Sequence, residues 1–493
     1  MLKRNSLGKS AVILTASKMI TLFVTMLTGM LLSRFRTFEE YGTYSQINLV
    51  VTLFSSIFML GLPNSINYFL AKADTEEEQQ KFLGVYYALS TVLSVIMGVV
   101  LATSAPLIAN YFSNPGILMF SYFLLLYPWA NVMVSGIENV LIVYQKTSLL
   151  TVYRVANSLC LLGSVLVVQW FGLGFREYMI ANIVVWCLFA LLVYYISYYI
   201  SGGFRLLFDF KLIRTIFVFS IPLGLSSVVG TLNIEIDKLL IGFLMDTEQL
   251  AIYTNASKEL PVSFVAVSIT AVLLPQFTRM LKKGNDREAV DLWASATELS
   301  FAIIGLIAAG VFTYAEEVMS LLYSEKYLPG LSVFRIYTLV LLLRCTYFGI
   351  ILNAKGKTKE IFYGGVASLI FNAVLNPLLY WLMGMNGPAL ATFLSMFVVL
   401  LWQLYRTAKC TGISFSQVFP WKRIGKIALV NICFSVIFFA LKCVLPLEAW
   451  FSELGESLAL GVCWCVLYFL VMKKSIKEAW NKLNYGGADS ADL

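Results

Sequence analysis

The chain has 493 residues, of which 59% are hydrophobic and 13% charged, with a mean hydropathy of +0.79 and a formal net charge of +8. A soluble chain carries roughly twice that charged fraction, and the apolar runs are continuous rather than alternating, so both a water-soluble globule and a lipid-facing β-barrel are excluded. There is no His at all, which excludes His-based metal sites, imidazole proton relays and Ser–His or Cys–His catalysis.

The N-terminus reads Lys3, Arg4, Lys9 and then an apolar run from Ala11 to Leu32. That run is too long for a signal-peptide core and no small-x-small cleavage site closes it, so it is read as a retained first span. Windows of about twenty apolar residues place the spans at 10–33, 43–69, 82–112, 117–143, 148–170, 177–200, 213–242, 249–279, 289–313, 331–352, 360–382, 386–408, 424–445 and 456–472. The expected fold is an all-α polytopic membrane protein of about 14 transmembrane helices. Connections are short, the longest running from Tyr314 to Gly330. Of eight cysteines only Cys463 and Cys465 are close together, and most lie inside apolar runs, where packing is the expected role. The acidic run Asp74, Glu76, Glu77 and Glu78 reads as a solvated loop. No Gly-x4-Gly-Lys motif appears, so ATP is not the expected energy source.

Orientation follows from the basic residues. With the N-terminus in the cytoplasm, 26 of the 36 Lys and Arg fall on the cytoplasmic side and seven on the outer side. Lys18, Arg335 and Arg344 fall within spans. The bias predicts both termini inside and an even span count, and it accounts for the net charge without nucleic acid as a partner.

The chain repeats itself. Leu31-Leu32-x-x-Phe35, Glu39 and Tyr44 are answered by Leu239-Leu240-x-x-Phe243, Glu248 and Tyr253. Leu62-Pro63 is answered by Leu274-Pro275, and Lys146-Thr147 with Val155-Ala156 by Lys357-Thr358 with Val366-Ala367. The interval covers six spans, so the copies share one orientation. This predicts two pseudo-symmetric six-helix lobes, residues 1–204 (spans 1–6) and 205–410 (spans 7–12), followed by two C-terminal helices and a cytoplasmic tail over 411–493. Two such lobes suggest a central cavity opened alternately to either side.

At this point the chain resembles the oligosaccharide and polysaccharide flippases (Wzx-like) of the multidrug/oligosaccharidyl-lipid/polysaccharide exporter superfamily. The residues that carry the likeness are Phe38-Glu39-Glu40-Tyr41-Gly42-Thr43-Tyr44 and Asp237-Lys238-Leu239-Leu240-Ile241-Gly242, the latter followed by Ala251-Ile252-Tyr253. The commoner family form has Gly-Pro before the first word and Arg after the Asp of the second; here Thr37-Phe38 and Lys238 stand instead. The resemblance implies a transporter rather than an enzyme. It would move a polyprenyl-pyrophosphate-linked oligosaccharide from the cytoplasmic to the outer leaflet of the inner (plasma) membrane, for surface polysaccharide synthesis. Membrane lipids and the polysaccharide polymerase or export machinery are the implied partners. An ion-coupled multidrug extruder of the same fold is the alternative, and a membrane glycosyltransferase or polymerase a more distant one.

Ionisable residues inside a bilayer are costly and mark candidate sites. Lys18, Thr21, Thr25 and Thr28 form a polar stripe on the first span. Lys18 is read as a cavity group for an anionic headgroup, with snorkelling to the surface as the plain alternative. On the seventh span, Ser220, Gly224, Ser227, Thr231, Glu235 and Lys238 share one face, and Ser226, Gly230, Asn233 and Asp237 a neighbouring one. The transport path is therefore expected between the first and seventh spans. Arg335 and Arg344, half a turn out of phase on a continuous tenth span, cannot both face one cavity; Arg344, nearer mid-membrane, is taken as the inward one. The candidate substrate-binding set is Lys18, Thr21, Thr25, Ser227, Thr231, Lys258 and Arg344. Glu235, Asp237 and Glu298 are candidates for proton or sodium coupling, and no cofactor is expected. The plain alternatives are ion pairs: Glu235 or Asp237 with Lys238 or Lys258, Glu259 with Lys258, and Glu138 or Glu298 with a basic neighbour such as Arg154. Pro128, Pro222, Pro261, Pro275 and Pro377 are candidate bending points.

Overall fold

The structure, a computed structural model, describes residues 4–444 and 453–488; Lys3 of the basic tally lies outside them. Among the described residues all regular structure is helical. In hydrocarbon an unpaired backbone N–H or C=O has no water to turn to, so apolar runs of this length fold as helices. The chain divides into two compact units, Met1–Ala251 and Ile252–Leu493.

The first unit holds α1 (Arg4–Phe35), α2 (Phe38–Met59), α3 (Leu62–Lys72), α4 (Glu76–Thr103), α5 (Ala105–Tyr111), α6 (Ser121–Val143), α7 (Thr147–Trp170), α8 (Phe175–Ile200) and α9 (Phe210–Leu244). α10 (Thr247–Ala256) follows. The second unit continues with α11 (Phe264–Lys282), α12 (Asp286–Thr313), α13 (Ala315–Tyr323), α14 (Leu331–Leu343), α15 (Ile350–Ala354), α16 (Thr358–Met383), α17 (Asn386–Thr411), α18 (Phe415–Val418), α19 (Trp421–Val444) and α20 (Glu453–Ala488). Among the described residues thirteen helical runs, one of them α10 with α11, are long and apolar enough to cross a bilayer, and the bent pair α2–α3 brings the number to as many as 14. Large apolar side chains such as Trp170, Phe171, Trp381 and Val444 are exposed on the helices, as a lipid solvent allows.

Helix starts are set by local chemistry. Thr37 and Glu40 form a capping box at the head of α2, the Thr37 Oγ1 accepting from Glu40 N at 3.2 Å and Glu40 Oε2 from Thr37 N at 3.0 Å. Thr75 caps α4 and Asp209 caps α9.

Four expected spans are broken, the third, 82–112, at Ser104 between α4 and α5. The second bends by 44° where Leu60 (φ 37°) and Gly61 (φ 74°) turn left-handed. The eighth is interrupted between α10 and α11. There Pro261 lacks an N–H and holds Leu260 extended (φ −68°, ψ 143°), and a 3₁₀ turn, Pro261–Ser263, restarts the helix. The tenth stops at Leu343 and resumes at Ile350 with no proline in between. The intervening segment is held from the side: Trp293 Nε1 donates to Thr346 Oγ1 at 2.9 Å, Phe348 meets Trp293 edge-on, and Cys345 is buried. The expected outer loop, Tyr314 to Gly330, is mostly helical, as α13 and a 3₁₀ turn Glu325–Gly330. Of the five prolines, Pro128, Pro222, Pro275 and Pro377 lie inside continuous helices and only Pro261 marks a break.

The repeat is visible element by element. Glu76–Thr103 answers Asp286–Thr313, Thr147–Trp170 answers Thr358–Met383, and Phe175–Ile200 answers Asn386–Thr411. Even the turns match. Ser113 and Ser324 both have positive φ, as do Gln145 and Gly356. Lys146 N donates to Leu141 O and Lys357 N to Leu352 O, each at 2.8 Å.

The C-terminal helices are built into the second unit. α12 packs against both α19 and α20. Trp464 stacks on Phe438 with centroids 5.2 Å apart, and Tyr468 OH donates to Ala302 O at 2.9 Å.

Candidate functional site

On α1, Ser17 and Val24 are buried and the helix packs along α7. Lys18 and Thr25, seven residues apart, share the exposed face. Thr21 is half-buried, its Oγ1 without a hydrogen-bond partner among the described residues, and Thr28 Oγ1 donates to Val24 O at 2.8 Å. The polar stripe therefore splits, with Lys18 and Thr25 facing away from protein and Thr21 and Thr28 half-covered.

The α9 stripe splits by depth. Ser220 and Gly224 are buried against the α2–α3 bend, and a Cβ on Gly224 would lie 2.1 Å from the Leu60 carbonyl carbon. These two residues make a close helix crossing and not a lining. Ser227 is exposed and Thr231 half-buried. Ser227 Oγ donates to Leu223 O at 3.2 Å. Beyond them Glu235 Oε2 accepts from Lys238 Nζ at 2.8 Å, both side chains mostly covered. Asp237 is fully buried, and its Oδ1 accepts from Lys238 N at 2.7 Å. α1 packs along α7, whereas α9 packs along α2 and α3.

The two words that carried the family likeness are packing words. A Cβ on Gly42 would meet Thr247 O at 2.3 Å, and one on Gly242 would meet the Phe112 ring at 2.6 Å. Asn114 Nδ2 donates to Thr43 Oγ1 and to Gln46 Oε1, at 2.8 and 2.7 Å. Tyr111 OH donates to Leu239 O at 3.1 Å.

In the second unit, where the sequence suggested a local Lys258–Glu259 pair as the plain alternative, Glu259 Oε1 lies 2.6 Å from Arg344 Nη2. Lys258 is half-buried and otherwise engaged. Arg344 is the first residue beyond α14, so the half-turn argument that separated it from Arg335 does not apply, because the helix it assumed has ended. Arg335 lies over the Phe312 ring, 5.9 Å from its centroid. Both members of the Glu259–Arg344 pair are about a third exposed. A charged side chain at the bilayer centre costs on the order of 3 kcal/mol when unpaired, which is reason enough for Arg344 to hold a carboxylate.

Glu298 is buried on α12. Its Oε2 accepts from Arg423 Nη1 at 3.2 Å and its Oε1 from Ser475 Oγ at 2.9 Å, joining α12 to α19 and α20. Glu138 pairs with Arg154. Glu235, Glu259, Glu138 and Glu298 are thus all ion-paired.

Sequence reading passed over a group on α16 and α17. Asn372, Asn376 and Thr392 are buried on these tightly packed helices, and Asn376 Oδ1 and Nδ2 and Thr392 Oγ1 have no hydrogen-bond partner among the described residues. The available signal was the spacing of Asn372 and Asn376, one helical turn apart just before Pro377. A second group lies near the start of α9, where Lys72, Lys81 and Lys211 with Asp74, Glu78 and Asp209 line a cleft of about 470 Å³. Lys81 Nζ is 2.6 Å from Asp209 Oδ2, and this bond together with the Leu212 N–H holds the Asp209 carboxyl below the ordinary aspartate value.

Comparison with known proteins follows the same lines. Residues 31–331 match the family described as polysaccharide biosynthesis protein. A capsular polysaccharide biosynthesis protein of Staphylococcus aureus is 24% identical over 232 residues, 45% of this chain and 58% of that protein. The curated relatives that the chain matches are covered over 21–58% of their own length. Among solved structures, a lipid II flippase in an inward closed conformation superposes with a TM-score of 0.76 at 16% identity, covering 94% of this chain and 100% of that one. An inward-facing multidrug resistance transporter gives 0.65 at 14% identity, covering 82% and 99%.

Proposed function

Since the chain belongs to the polysaccharide biosynthesis protein family, we propose that it is a flippase that carries a lipid-linked oligosaccharide, held on a polyprenyl pyrophosphate, from the cytoplasmic to the outer leaflet. Family membership is the observation that carries this reading. The fold is shared with multidrug transporters and does not choose between cargoes by itself. The intramembrane bases favour the anionic cargo: Lys18 is exposed with no carboxylate partner among the described residues, and Arg344 is only partly covered. An extruder of organic cations needs the opposite, a carboxylate without a compensating base.

In this reading Lys18 in the first unit and Arg344 in the second are each a base for the anionic headgroup, and hydroxyls of Thr21, Thr25, Ser227 and Thr231 offer hydrogen bonds to saccharide. Lys258 adds a further base beside the Glu259–Arg344 pair. Transport proceeds by alternating access in the plasma membrane with both termini in the cytoplasm, as the basic-residue bias favours. Glu235, Asp237 and Glu298 are the carboxylates proposed for proton or sodium coupling; Asp237 is buried, and Glu235 and Glu298 hold Lys238 and Arg423. A polymerase or export assembly would receive the product.

The test is deletion of the gene in a strain without a redundant flippase. Lipid-linked glycan is expected to accumulate on the cytoplasmic leaflet, protected from periodate added outside intact cells. Normal surface glycan in that strain would overturn the proposal.

A further inference from the structure

Two membrane helices of the second unit are interrupted, and one ion pair joins the interruptions. Glu259 lies in the junction between α10 and α11, Arg344 opens the junction between α14 and α15, and their charged atoms are 2.6 Å apart. The two sides are held differently. On the Arg344 side Cys345 and Phe348 are buried and Thr346 is bonded to Trp293. On the Glu259 side Lys258, Glu259 and Leu260 are half-buried, Pro261 is exposed, and the pair to Arg344 reaches across to the anchored segment. The guanidinium is not saturated by this contact. Arg344 Nε is buried with no hydrogen-bond partner among the described residues, and a third of the side chain is open. Arginine offers five N–H donors in a fixed fork, which a phosphate with its several oxygens fills better than one carboxylate oxygen.

We propose that Glu259 is a displaceable occupant of an anion site on Arg344. A phosphate group of the ligand takes over the guanidinium, the carboxylate is released to water through its exposed third, and the Ser257–Leu260 junction loses this tie to the Arg344 segment, which stays in place. The site therefore reports its own occupancy to α11. The identity of the ligand as a pyrophosphate lipid rests on the flippase reading; the competition between carboxylate and phosphate does not.

The experiment uses the full-length protein in lipid nanodiscs, with its native cysteines replaced and Ser257→Cys as the reporter, since Ser257 is buried. Farnesyl pyrophosphate is the probe and farnesol the control. Glu259→Gln is expected to speed maleimide labelling of the reporter about tenfold and to bind farnesyl pyrophosphate about tenfold more tightly by calorimetry. The probe should speed labelling in the parent, and farnesol should not. The double change Glu259→Gln with Arg344→Gln, which leaves no unpaired charge, should lose binding. The proposal is overturned if Glu259→Gln binds and labels like the parent, if farnesol acts as the pyrophosphate does, or if the double variant still binds. Normal glycan export in the deletion strain would sink the transport reading while leaving the tighter binding of Glu259→Gln intact, so the two can fail separately.

Discussion

At the scale of residues, the cargo-binding assignments separate into clean and entangled tests. Lys18 is exposed and unpaired among the described residues, so Lys18→Ala removes a charge without orphaning another. With charge-assisted hydrogen bonds worth about 1.5–3 kcal/mol, glycan export at matched expression should fall about tenfold or more, and unchanged export would remove Lys18 from the site. Asp209 gives a pH signature. Its carboxyl is held below the ordinary value of 3.8 by Lys81 and the Leu212 N–H, so the folded state binds the proton less readily than the unfolded one. The bond therefore stabilises fully above that value and is lost as pH falls through the depressed pKa. Asp209→Asn should flatten the acid limb of thermal unfolding in detergent and leave the slope near neutrality unchanged. Residue chemistry was the least legible level in the sequence. The presence of Lys18, Glu235, Asp237, Glu259 and Arg344 inside spans was plain, and the local pair of Glu235 with Lys238 was among the readings, but the Glu259–Arg344 pair was not. Whether Glu259 turns to Lys258 or to a residue 85 positions away depends on where two helices break.

At the scale of elements, apolar windows find helices well and breaks poorly. Leu331 to Leu352 reads as one run, since it contains no proline and its two arginines stand alone among apolar residues; the break is held by Trp293 of α12, which bonds Thr346 and meets Phe348 edge-on. Pro261 could be read in advance, and it does end a helix, whereas the four other prolines read as bending points, Pro128, Pro222, Pro275 and Pro377, sit in helices that continue through them. The α2–α3 bend was equally hidden, since it needs α9 to nest against it. Gly224 supplies that nest, with backbone atoms of Leu60 where a methyl would go. Backbone cannot step aside as a side-chain tip can, so Gly224→Ala should destabilise by about 2–3 kcal/mol and lower the melting temperature in detergent. An unchanged melting temperature would mean that the crossing is looser than its geometry. Gly163, with no atom near its added Cβ, is the matched control.

At the scale of the whole molecule, composition alone fixed the solvent, and the internal repeat fixed the helix order. The signals that worked were those that many residues share. At the Lys-Thr helix starts the repeat goes with a shared turn, Lys146 N bonding Leu141 O and Lys357 N bonding Leu352 O. The Glu259–Arg344 pair, found in the second unit, is the kind of individual difference that a search for self-similarity passes over. Topology is testable at this level too: a reporter fused after the C-terminal lysines of α20 should signal a cytoplasmic location, and an external signal would reverse the orientation taken from the 26-to-7 distribution of bases.

The matched turns before α7 and α16 amount to a substitution experiment that the chain has already performed on itself. Both turns need a left-handed residue; one copy fills it with Gln145 at φ 58° and the other with Gly356 at φ 70°. A non-glycine residue pays about 1 kcal/mol for that conformation. Copying the second solution into the first, as Gln145→Gly, should therefore raise the melting temperature, with the flexibility glycine adds to the unfolded chain offsetting part of the gain. The same logic makes each half of the molecule a catalogue of tolerated replacements for the other, a practical starting point for a thermostable variant.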